Sequence, residues 1–389
     1  MARQWRTRRA PWALAVPLAA AALLVTAGAA GTRAARAPAP PCQSWTSTLP
    51  PSPGAGDNEF FGVAALSACN VWAVGAYRAT ATGPLLSLAE HWNGTAWKVV
   101  PTPDPGTSTN FLRAVSALSA SNVWAVGHAD DSALILHWNG TKWVQVPSPS
   151  PSPGTSDDLS GVDVVSASNA WAVGEISGSS SQSTLILRWN GTTWSQVPSP
   201  IPGTSSRLDA VTATSAGNAW AVGAFSTGTA GKTLILRWNG TTWLQVPSPN
   251  PSGPVAEMIL DGVAATSASN AWAVGTYNTP TIQQTIIVRW NGTAWKLVPN
   301  PSPGQEPRLF GVAANSASDA WAVGGYLAGS AENTLLMHWN GSAWKMMIGP
   351  TPGSGSGLSS VAATSASNVW AVGSFSSGGP LQVFAIHCC

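Results

Sequence analysis

The chain has 389 residues, of which 44% are hydrophobic and only 9% are charged, and its formal net charge is +2. Six arginines lie in the first 36 residues, so the rest of the chain carries 12 Lys and Arg against 16 Asp and Glu, a net charge of −4. No basic stripe remains to follow a phosphate backbone, which excludes nucleic acid as an expected partner.

The first 30 residues have the composition of an export signal. A basic segment containing Arg8 and Arg9 precedes an apolar run from Trp12 to Ala30, and the small residues around Gly28 suit signal peptidase. We predict a signal peptide over 1–30 for the general secretory route and an Ala/Pro linker over 31–41. The alternative is an uncleaved anchor, since 19 apolar residues could span a bilayer, and only then would the chain contact a membrane.

From residue 42 onward one pattern of about 50 residues recurs. Its first half reads Asn/Asp-x-Trp-Ala-Val-Gly and occurs seven times, 47 to 52 residues apart, at Trp72, Trp124, Trp171, Trp220, Trp272, Trp321 and Trp370. Its second half reads His/Arg-Trp-Asn-Gly-Thr/Ser-x-Trp and occurs six times, from Trp92–Trp97 to Trp339–Trp344. A fixed period in this range marks a repeat architecture, and short strands within it indicate a propeller.

The third copy shows how one repeat becomes one blade. Four short β-rich segments, Leu159–Val165, Ala170–Gly174, Thr184–Trp189 and Thr192–Val197, are separated by turn-forming residues, and prolines follow the last of them. We therefore predict an all-β fold, a seven-bladed β-propeller with four antiparallel strands in each blade, over residues 42–389.

The Asn-Gly pair predicts a two-residue type I′ turn between the third and fourth strands, which would place Trp189 opposite Thr192. Trp189 and Trp194 then share one sheet face and can pack one blade against the next. The tryptophans could instead form a sugar-stacking array, but their identical placement in every copy favours packing. The His or Arg before each third-strand Trp is expected to form a hydrogen bond or a cation–π contact within the blade.

The pattern resembles the kelch repeat, in which a hydrophobic strand ends in Gly-Gly and a Trp follows on the outermost strand, as at Gly324-Gly325-Tyr326. The Trp-Asn-Gly-Thr-x-Trp hairpin is similar to the Asp-box of sialidase-like propellers, with Asn in place of Asp and one residue fewer. The resemblance implies a bacterial secreted β-propeller. Such propellers include binding proteins, copper enzymes and glycosidases, so the resemblance alone does not select a function.

The two ends of the chain complement each other. The seventh copy stops after its third strand, with Cys388 where the other copies have Trp, and residues 43–49 align with the missing fourth strand. We predict that the N-terminal strand closes the last blade. A disulfide is expected from Cys42 to Cys388 or to Cys389, with Cys69 bonded to the other. A metal site on these cysteines is the alternative, and export into an oxidising space argues against it, so we predict no metal and no cofactor.

Candidate binding residues are those that differ between copies, because residues held alike serve packing. Each first strand presents one such residue at the mouth of the central channel: Phe61, Arg113, Ser160, Asp209, Asp261, Phe310 and Ser359. Around them lie Asp158, Arg207, Arg308, His128, Glu175, Tyr277 and Tyr326. Arg, Asp and aromatic residues around a channel suit a polar ligand such as a glycan. The alternative is a solvated rim without a ligand.

An enzyme would need a carboxylate pair or a metal cluster. Asp209 and Asp261 could converge to the separation that glycosidases use. The tyrosines required for kelch-type copper chemistry, however, cannot be assigned. We therefore expect an exported, non-catalytic, monomeric protein, secreted or at the cell surface, that binds an extracellular glycan or a surface protein. The alternatives are a secreted glycoside hydrolase or lyase and a purely structural cell-envelope protein.

Overall fold

The computed structural model describes residues 42, 44–149, 155–179, 181–228, 230–251 and 257–388. The predicted signal peptide and the whole predicted linker, together with Cys389, lie outside these residues. Every regular element in the described part of the chain is a β-strand. Accordingly, these residues contain no helix long and apolar enough to cross a membrane.

Each of the first six copies of the repeat forms four antiparallel strands, and the seventh forms three. The first three copies form β2 (Asn58–Ser67), β3 (Asn70–Arg78), β4 (Leu85–Trp92) and β5 (Trp97–Val99); β6 (Asn110–Ser119), β7 (Asn122–Ala129), β8 (Ser132–Trp138) and β9 (Trp143–Gln145); and β10 (Ser156–Ser166), β11 (Asn169–Ser177), β12 (Gln182–Trp189) and β13 (Trp194–Gln196). The next two form β14 (Ser205–Ser215), β15 (Asn218–Ser226), β16 (Gly231–Trp238) and β17 (Trp243–Gln245); and β18 (Glu257–Ser267), β19 (Asn270–Asn278), β20 (Gln283–Trp290) and β21 (Trp295–Leu297). These five copies give five separate four-stranded sheets.

The last two copies share one eight-stranded sheet with the N-terminal strand. It contains β22 (Gln305–Ser316), β23 (Asp319–Ala328), β24 (Ala331–Trp339), β25 (Trp344–Met347), β26 (Gly355–Ser365), β27 (Asn368–Ser376), β28 (Gln382–Cys388) and β1 (Thr46–Thr48). Its two antiparallel halves meet at a single parallel pair, Glu332 with Gly355. The first strands of successive copies contact one another, and β26 returns to β2, so these strands form a closed ring.

The hairpin between the third and fourth strands differs from the predicted two-residue turn. Trp189 pairs with Trp194, not with Thr192, so four residues form the turn. Positive φ occurs at Gly191 alone, at 102°, whereas a type I′ turn needs it at both central positions. The reason is the Asn190 side chain, whose Oδ1 accepts hydrogen bonds from the backbone N–H groups of Thr192 and Thr193, both at 2.9 Å.

The N-terminal strand closes the last sheet, as predicted from the sequence. β1 pairs antiparallel with β28, with Thr46 opposite His387. Cys42 and Cys388 form a disulfide with their Cα atoms 5.6 Å apart. The ring of Trp45 lies edge-on against Trp321, with 5.3 Å between centroids. The further pairing of Cys69 with Cys389 stays a prediction, because Cys389 lies outside the described residues; Cys69 is exposed and has no disulfide within them.

Tryptophans pack each sheet against the next, which confirms the packing interpretation. Trp171 on β11 is fully buried and contacts two rings of the following sheet, Trp238 at 4.9 Å and Trp243 at 5.1 Å, the second of them edge-on. The same triad recurs at the other interfaces between complete copies. Since one buried aromatic removes about 150–250 Å² from water, these triads dominate the interfaces.

The cationic residue before each third-strand Trp completes the interface. The guanidinium of Arg188 lies 5.0 Å from the ring centre of Trp171 in its own sheet and 5.4 Å from that of Trp238 in the next. His387 stacks on Trp370 with 3.9 Å between centroids and hydrogen-bonds Asn368. The predicted cation–π and hydrogen-bonding roles are both present, which explains why Arg and His replace each other here.

One interface contains a charge-bearing residue in its core. Glu90 on β4 is 0% exposed, and neither carboxylate oxygen has a hydrogen-bond partner among the described residues. Apolar residues occupy its register position in the other copies: Leu136, Leu187, Leu236, Val288, Met337 and Ile386. Burial raises the pKa of Glu90 to about 8. The protonated acid is therefore favoured in the folded protein up to mildly alkaline pH.

We predict that Glu90→Leu stabilises the protein, and more so at high pH. The folded state binds more protons than the unfolded state between the ordinary glutamate pKa and about 8. Stability therefore falls as pH rises through that window and levels off above it. At pH 4, where the carboxyl is largely protonated in both the folded and the unfolded state, the free energy of unfolding should rise by about 1–3 kcal/mol, the cost of an unpaired buried polar group. At pH 9 it should rise by more, because burial also opposes ionisation of the carboxyl. Thermal unfolding of the wild type and the variant at both pH values measures this difference, with Glu90→Gln as the isosteric control. Equal increases in the free energy of unfolding at pH 4 and at pH 9 would contradict the prediction.

The closing strand gives a second prediction. A variant lacking residues 1–53 loses β1, and therefore exposes the edge of β28 and removes Trp45 from Trp321. We expect it to aggregate or to unfold at a lower temperature than a variant lacking only residues 1–41. Light scattering reports the aggregation of the two variants, and thermal melts report their unfolding temperatures. Unchanged solubility and melting of the shorter chain would show that β1 is dispensable.

Candidate functional site

A β-bulge in every first strand directs one side chain toward the axis of the strand ring. In β14, for example, the register with β15 shifts between Leu208 and Ala210, which leaves Asp209 unpaired in the ladder. The same shift occurs in all seven first strands, at Phe61, Arg113, Ser160, Asp209, Asp261, Phe310 and Ser359. These residues line one cavity of about 320 Å³. Bulges commonly re-aim side chains in this way beside functional sites.

A second cavity of about 160 Å³ adjoins this one and is lined also by the two residues that follow each bulged residue. The first strands approach one another closely at these positions. A Cβ added at Gly62 would lie 3.0 Å from Cα of Ala114, and one at Gly161 would lie 3.0 Å from Cα of Ala210. Only small residues fit in this layer. The wider mouth is therefore the part of the channel that can admit a side chain or a sugar.

Arg113 is held at the mouth by a partner on the neighbouring strand. Its Nε and Nη2 donate to the Asp158 carboxylate at 3.1 and 2.9 Å. The ring of His128 lies beside the same carboxylate, with Nδ1 3.3 Å from Oδ1. Burial alone would raise the pKa of Asp158, but His128 and Arg113 together hold it below its usual value. The Arg113 guanidinium is therefore engaged within the protein.

The two aspartates on neighbouring first strands have different surroundings. Arg207 Nε donates to Asp209 Oδ1 at 3.2 Å, within the same strand. Asp261 has no hydrogen bond to any described residue, although it lines the cavity beside Asp209. Burial raises the pKa of both carboxyls; Arg207 opposes this shift at Asp209, whereas the charge of Asp209 adds to it at Asp261. Asp261 is thus the carboxylate whose ionised form lacks a partner.

Aromatic rings flank the polar groups. Phe61 stacks on Phe111 with 4.4 Å between centroids, and Phe111 stacks in turn on His128 at 5.5 Å. The guanidinium of Arg113 lies 4.9 Å from the ring centre of Phe111. Phe310, on the strand after Asp261, is 37% exposed. The mouth therefore offers one free phenyl face beside the free carboxylate.

The seven surrounding rim residues do not line the cavity: Asp158, Arg207, Arg308, His128, Glu175, Tyr277 and Tyr326. Tyr277 packs in the core between two sheets and hydrogen-bonds Gln284. Arg308 lies with Tyr326 in a second cavity of about 260 Å³, 3.9 Å from Glu306. These side chains were placed near the channel because they end or begin strands at the same face. The distance of a side chain from the channel axis depends on the bulge and the loop of its strand. The sequence pattern does not give that distance.

Asp163 has a buried, hydrogen-bonded carboxylate between first strands, and the sequence analysis did not identify it as a candidate residue. It accepts a hydrogen bond from Ser116 Oγ at 3.1 Å on one neighbouring strand and from the backbone N–H of Ala213 at 2.7 Å on the other. Burial raises its pKa to about 6. The sequence does contain one indication of its role, because the equivalent residues in the other six copies are all uncharged: Ala64, Ser116, Thr212, Ala264, Ala313 and Ala362. Asp163 therefore acts as a brace across three first strands.

Within the described part of the chain, no group of three or more His, Cys, Asp and Glu side chains is arranged to hold a metal ion. The carboxylates at the mouth lie among serines and phenyl rings. The candidate site is consequently a polar and aromatic binding cavity built from the chain's own side chains.

Comparisons with known proteins identify the fold and no family. No family model matches the chain, and no curated protein matches it in sequence. The kelch and Asp-box resemblance is therefore not confirmed.

Solved structures do match along nearly the whole chain. A structure of YCF48 bound to D1 peptide is 14% identical and covers 90% of this chain and 98% of its own, with a TM-score of 0.54. The structure of U3-55K is 9% identical and covers 88% and 98%, with a TM-score of 0.56. An ulvan lyase, a polysaccharide lyase, is 10% identical and covers 87% and 93%, with a TM-score of 0.52. This chain therefore has the all-β fold of β-propeller proteins, with repeated four-stranded blades.

Asp163 and Asp261, which lie on two different first strands, should respond oppositely to truncation. Asp163→Ala removes two hydrogen bonds and leaves the Ala213 N–H without its acceptor, so the free energy of unfolding should fall by about 1–3 kcal/mol. Alanine is itself accommodated at this position in four other copies. Asp261→Ala removes an unpaired carboxylate and should leave stability unchanged or raised. Thermal unfolding of the two variants and the wild type at pH 7 measures both changes in stability. Equal changes in the two variants would contradict the prediction.

Proposed function

We propose that this chain is an exported, non-catalytic, seven-bladed β-propeller that binds a polymer, an extracellular glycan or a surface protein, through the face that carries the channel mouth. The observation that carries the proposal is the set of seven bulges. They direct seven side chains into one cavity, and those side chains differ from blade to blade. The repeated residues are already used in packing, so the variable ones are free for binding.

The blade count rests on the way the last sheet divides. Its two halves, β22–β25 and β26–β28 with β1, are joined only by the pair Glu332 and Gly355. Each half repeats the four-strand order of the five separate sheets. Counting the halves separately gives seven blades, in agreement with the seven copies of the first-half motif.

Export is supported by the N-terminal sequence and by the disulfide between Cys42 and Cys388, since such bonds persist in oxidising compartments. A polymer partner is supported by the solved propellers of similar fold, one in complex with a peptide and one a polysaccharide lyase. Both kinds of ligand are long chains that can extend across a broad face.

The non-catalytic part of the proposal rests on the state of the two carboxylates. Asp209 is paired with Arg207, whereas Asp261 is unpaired. A general acid and base would need both groups free to exchange protons with a substrate. Here one carboxylate is committed to a neighbouring guanidinium, which leaves a single free group.

The test uses the exported protein and a double variant, Arg113→Ala with Asp261→Ala. We expect the wild type to bind members of a glycan array or of a peptide array, and the double variant to lose that binding. Its melting temperature should fall, because Arg113→Ala leaves the Asp158 carboxylate without its bidentate partner. Binding is therefore compared at a temperature at which thermal melts show both proteins to be folded. Lys142→Ala, in the turn between β8 and β9 on the opposite face, is the matched control and should bind as the wild type does.

Three outcomes would contradict the proposal. Full binding by the double variant would place the site elsewhere, and binding to neither array would favour the structural cell-envelope alternative. Turnover of a glycan that is lost in Asp209→Asn or Asp261→Asn would show that the protein is a hydrolase or lyase.

A further inference from the structure

The face around the channel mouth is acidic. Its carboxylates on the first and second strands include Glu59, Asp158, Glu175, Asp209, Glu257, Asp261 and Glu306, and its guanidinium groups include Arg78, Arg113, Arg207 and Arg308. An acidic concave surface attracts cationic groups and repels anionic polymers such as uronic-acid or sulfated glycans. The excess of negative charge therefore favours a cationic ligand over an anionic polymer at this face.

The internal ion pairs leave one group of the cavity unsatisfied. Arg113 is bound to Asp158, and Arg207 to Asp209. The two guanidinium groups nearest the cavity are thus engaged already, and Arg308 lies in a separate cavity. The Asp261 carboxylate, by contrast, is partly buried in the cavity wall without a hydrogen-bond partner among the described residues. A carboxylate removed from water without a hydrogen bond is costly, and a ligand that supplies a donor and a positive charge would relieve that cost.

The neighbours of Asp261 fit an organic cation. Phe310, on the next first strand, presents an exposed ring to the same cavity, and Phe61 lies across it. A cation beside an aromatic face gains further electrostatic attraction. Ca²⁺ instead takes six to eight oxygen ligands, and two carboxylates among phenyl rings and serine hydroxyls are a poor match for it.

The dimensions agree with one long side chain. The cavity of about 320 Å³ is at the lower limit of small-ligand pockets, and a smaller cavity adjoins it. A lysine or arginine can extend its aliphatic stem past the rim while its charged end reaches the carboxylate. The backbone that carries it would then lie across the face.

We propose that the channel mouth binds a lysine or arginine side chain of a protein segment, with Asp261 as its ion-pair partner and Phe310 as its aromatic contact. This inference rests on the proposed function and specifies its partner, a basic segment of a surface protein, in preference to a glycan. Asp209, held by Arg207, adds negative potential beside the bound cation.

Binding should depend on pH with a defined sign. Burial and the charge of Asp209 raise the pKa of Asp261, so part of this carboxyl is protonated in the free protein at low and neutral pH. A cation binds the ionised form. Affinity should therefore increase as pH rises from 5 to 9, and Asp261→Asn should reduce that increase to the part that ionisation of Asp209 contributes. The nearby titratable groups are Asp209, Glu257, Arg207 and Arg308. Of these, Asp209 also has a raised pKa and is retained in the variant.

The experiment measures fluorescence polarisation of labelled pentapeptides with the full exported protein. The probes are Gly-Gly-X-Gly-Gly peptides, blocked at both ends, in which X is Lys, Arg, Gln or Glu. We expect the Lys and Arg peptides to bind and the Gln and Glu peptides to bind at least about tenfold more weakly, as for loss of a charged hydrogen bond. Asp261→Asn should weaken the Lys peptide by a similar factor. Asp131→Asn, an exposed carboxylate outside the cavity at the turn between β7 and β8, should not.

Equal binding of the Lys and Gln peptides, or an unchanged Lys affinity in Asp261→Asn, would overturn the inference. A titration with CaCl₂ alone that displaces the Lys peptide stoichiometrically would also overturn it, in favour of a metal site. These failures remain distinguishable from failure of the proposed function. Glycan binding that is lost in the Arg113→Ala, Asp261→Ala variant would preserve a polymer site at the mouth while rejecting a cationic partner.

Discussion

The second-strand tryptophan between two blades is the contact on which the rest of the structure depends. Trp171 is fully buried, with two rings of the next blade on one side and Arg188 above it. Each triad brings together three strands from two sheets, so every blade buries its second-strand tryptophan only against the next blade. The last interface is therefore complete only when the last blade has a fourth strand. Trp45 meets that requirement from the other end of the chain, edge-on to Trp321. The disulfide from Cys42 to Cys388 fastens the same strand.

This packing separates the positions that hold the ring together from those that can bind. The tryptophans, the valines and the Asn-Gly turns are alike in nearly every copy because each copy meets the same neighbours. The bulged residue in each first strand faces the axis and contacts no repeated partner, so it differs from copy to copy. Asp163 is the informative exception, since a residue that varies also braces three strands. Variation alone therefore does not distinguish a binding residue from a local brace; the hydrogen-bond partners do.

The strand order, the closing strand and the positions around the channel mouth could be predicted from the sequence because they follow from period, complementary ends and alternation. The pairing within the site could not. Arg113 and Asp158 lie 45 residues apart, and nothing in their spacing indicates a bidentate pair. The hairpin register was predicted wrongly because the Asn side chain, not the Asn backbone, defines the turn. The burial of Glu90 could have been predicted, because its register position is apolar in every other copy, but its lack of a hydrogen-bond partner could not. Ion pairs and unpaired charges depend on side-chain geometry across blades, which a repeat pattern does not record.

The central claim is that packing and binding positions are separate sets. It is tested most directly by an alanine scan of the seven second-strand tryptophans and the seven bulged residues, with thermal unfolding of each variant as the measurement. The account predicts two non-overlapping groups. Trp→Ala variants should lose about 3–5 kcal/mol or fail to fold. The bulged positions should stay within about 0.5 kcal/mol of the wild type, except Arg113 and Asp209, whose truncation leaves Asp158 and Arg207 without their ion-pair partners and should cost about 1–3 kcal/mol. Bulged positions whose truncation unfolds the ring, or tryptophans that can be removed without loss, would contradict the account.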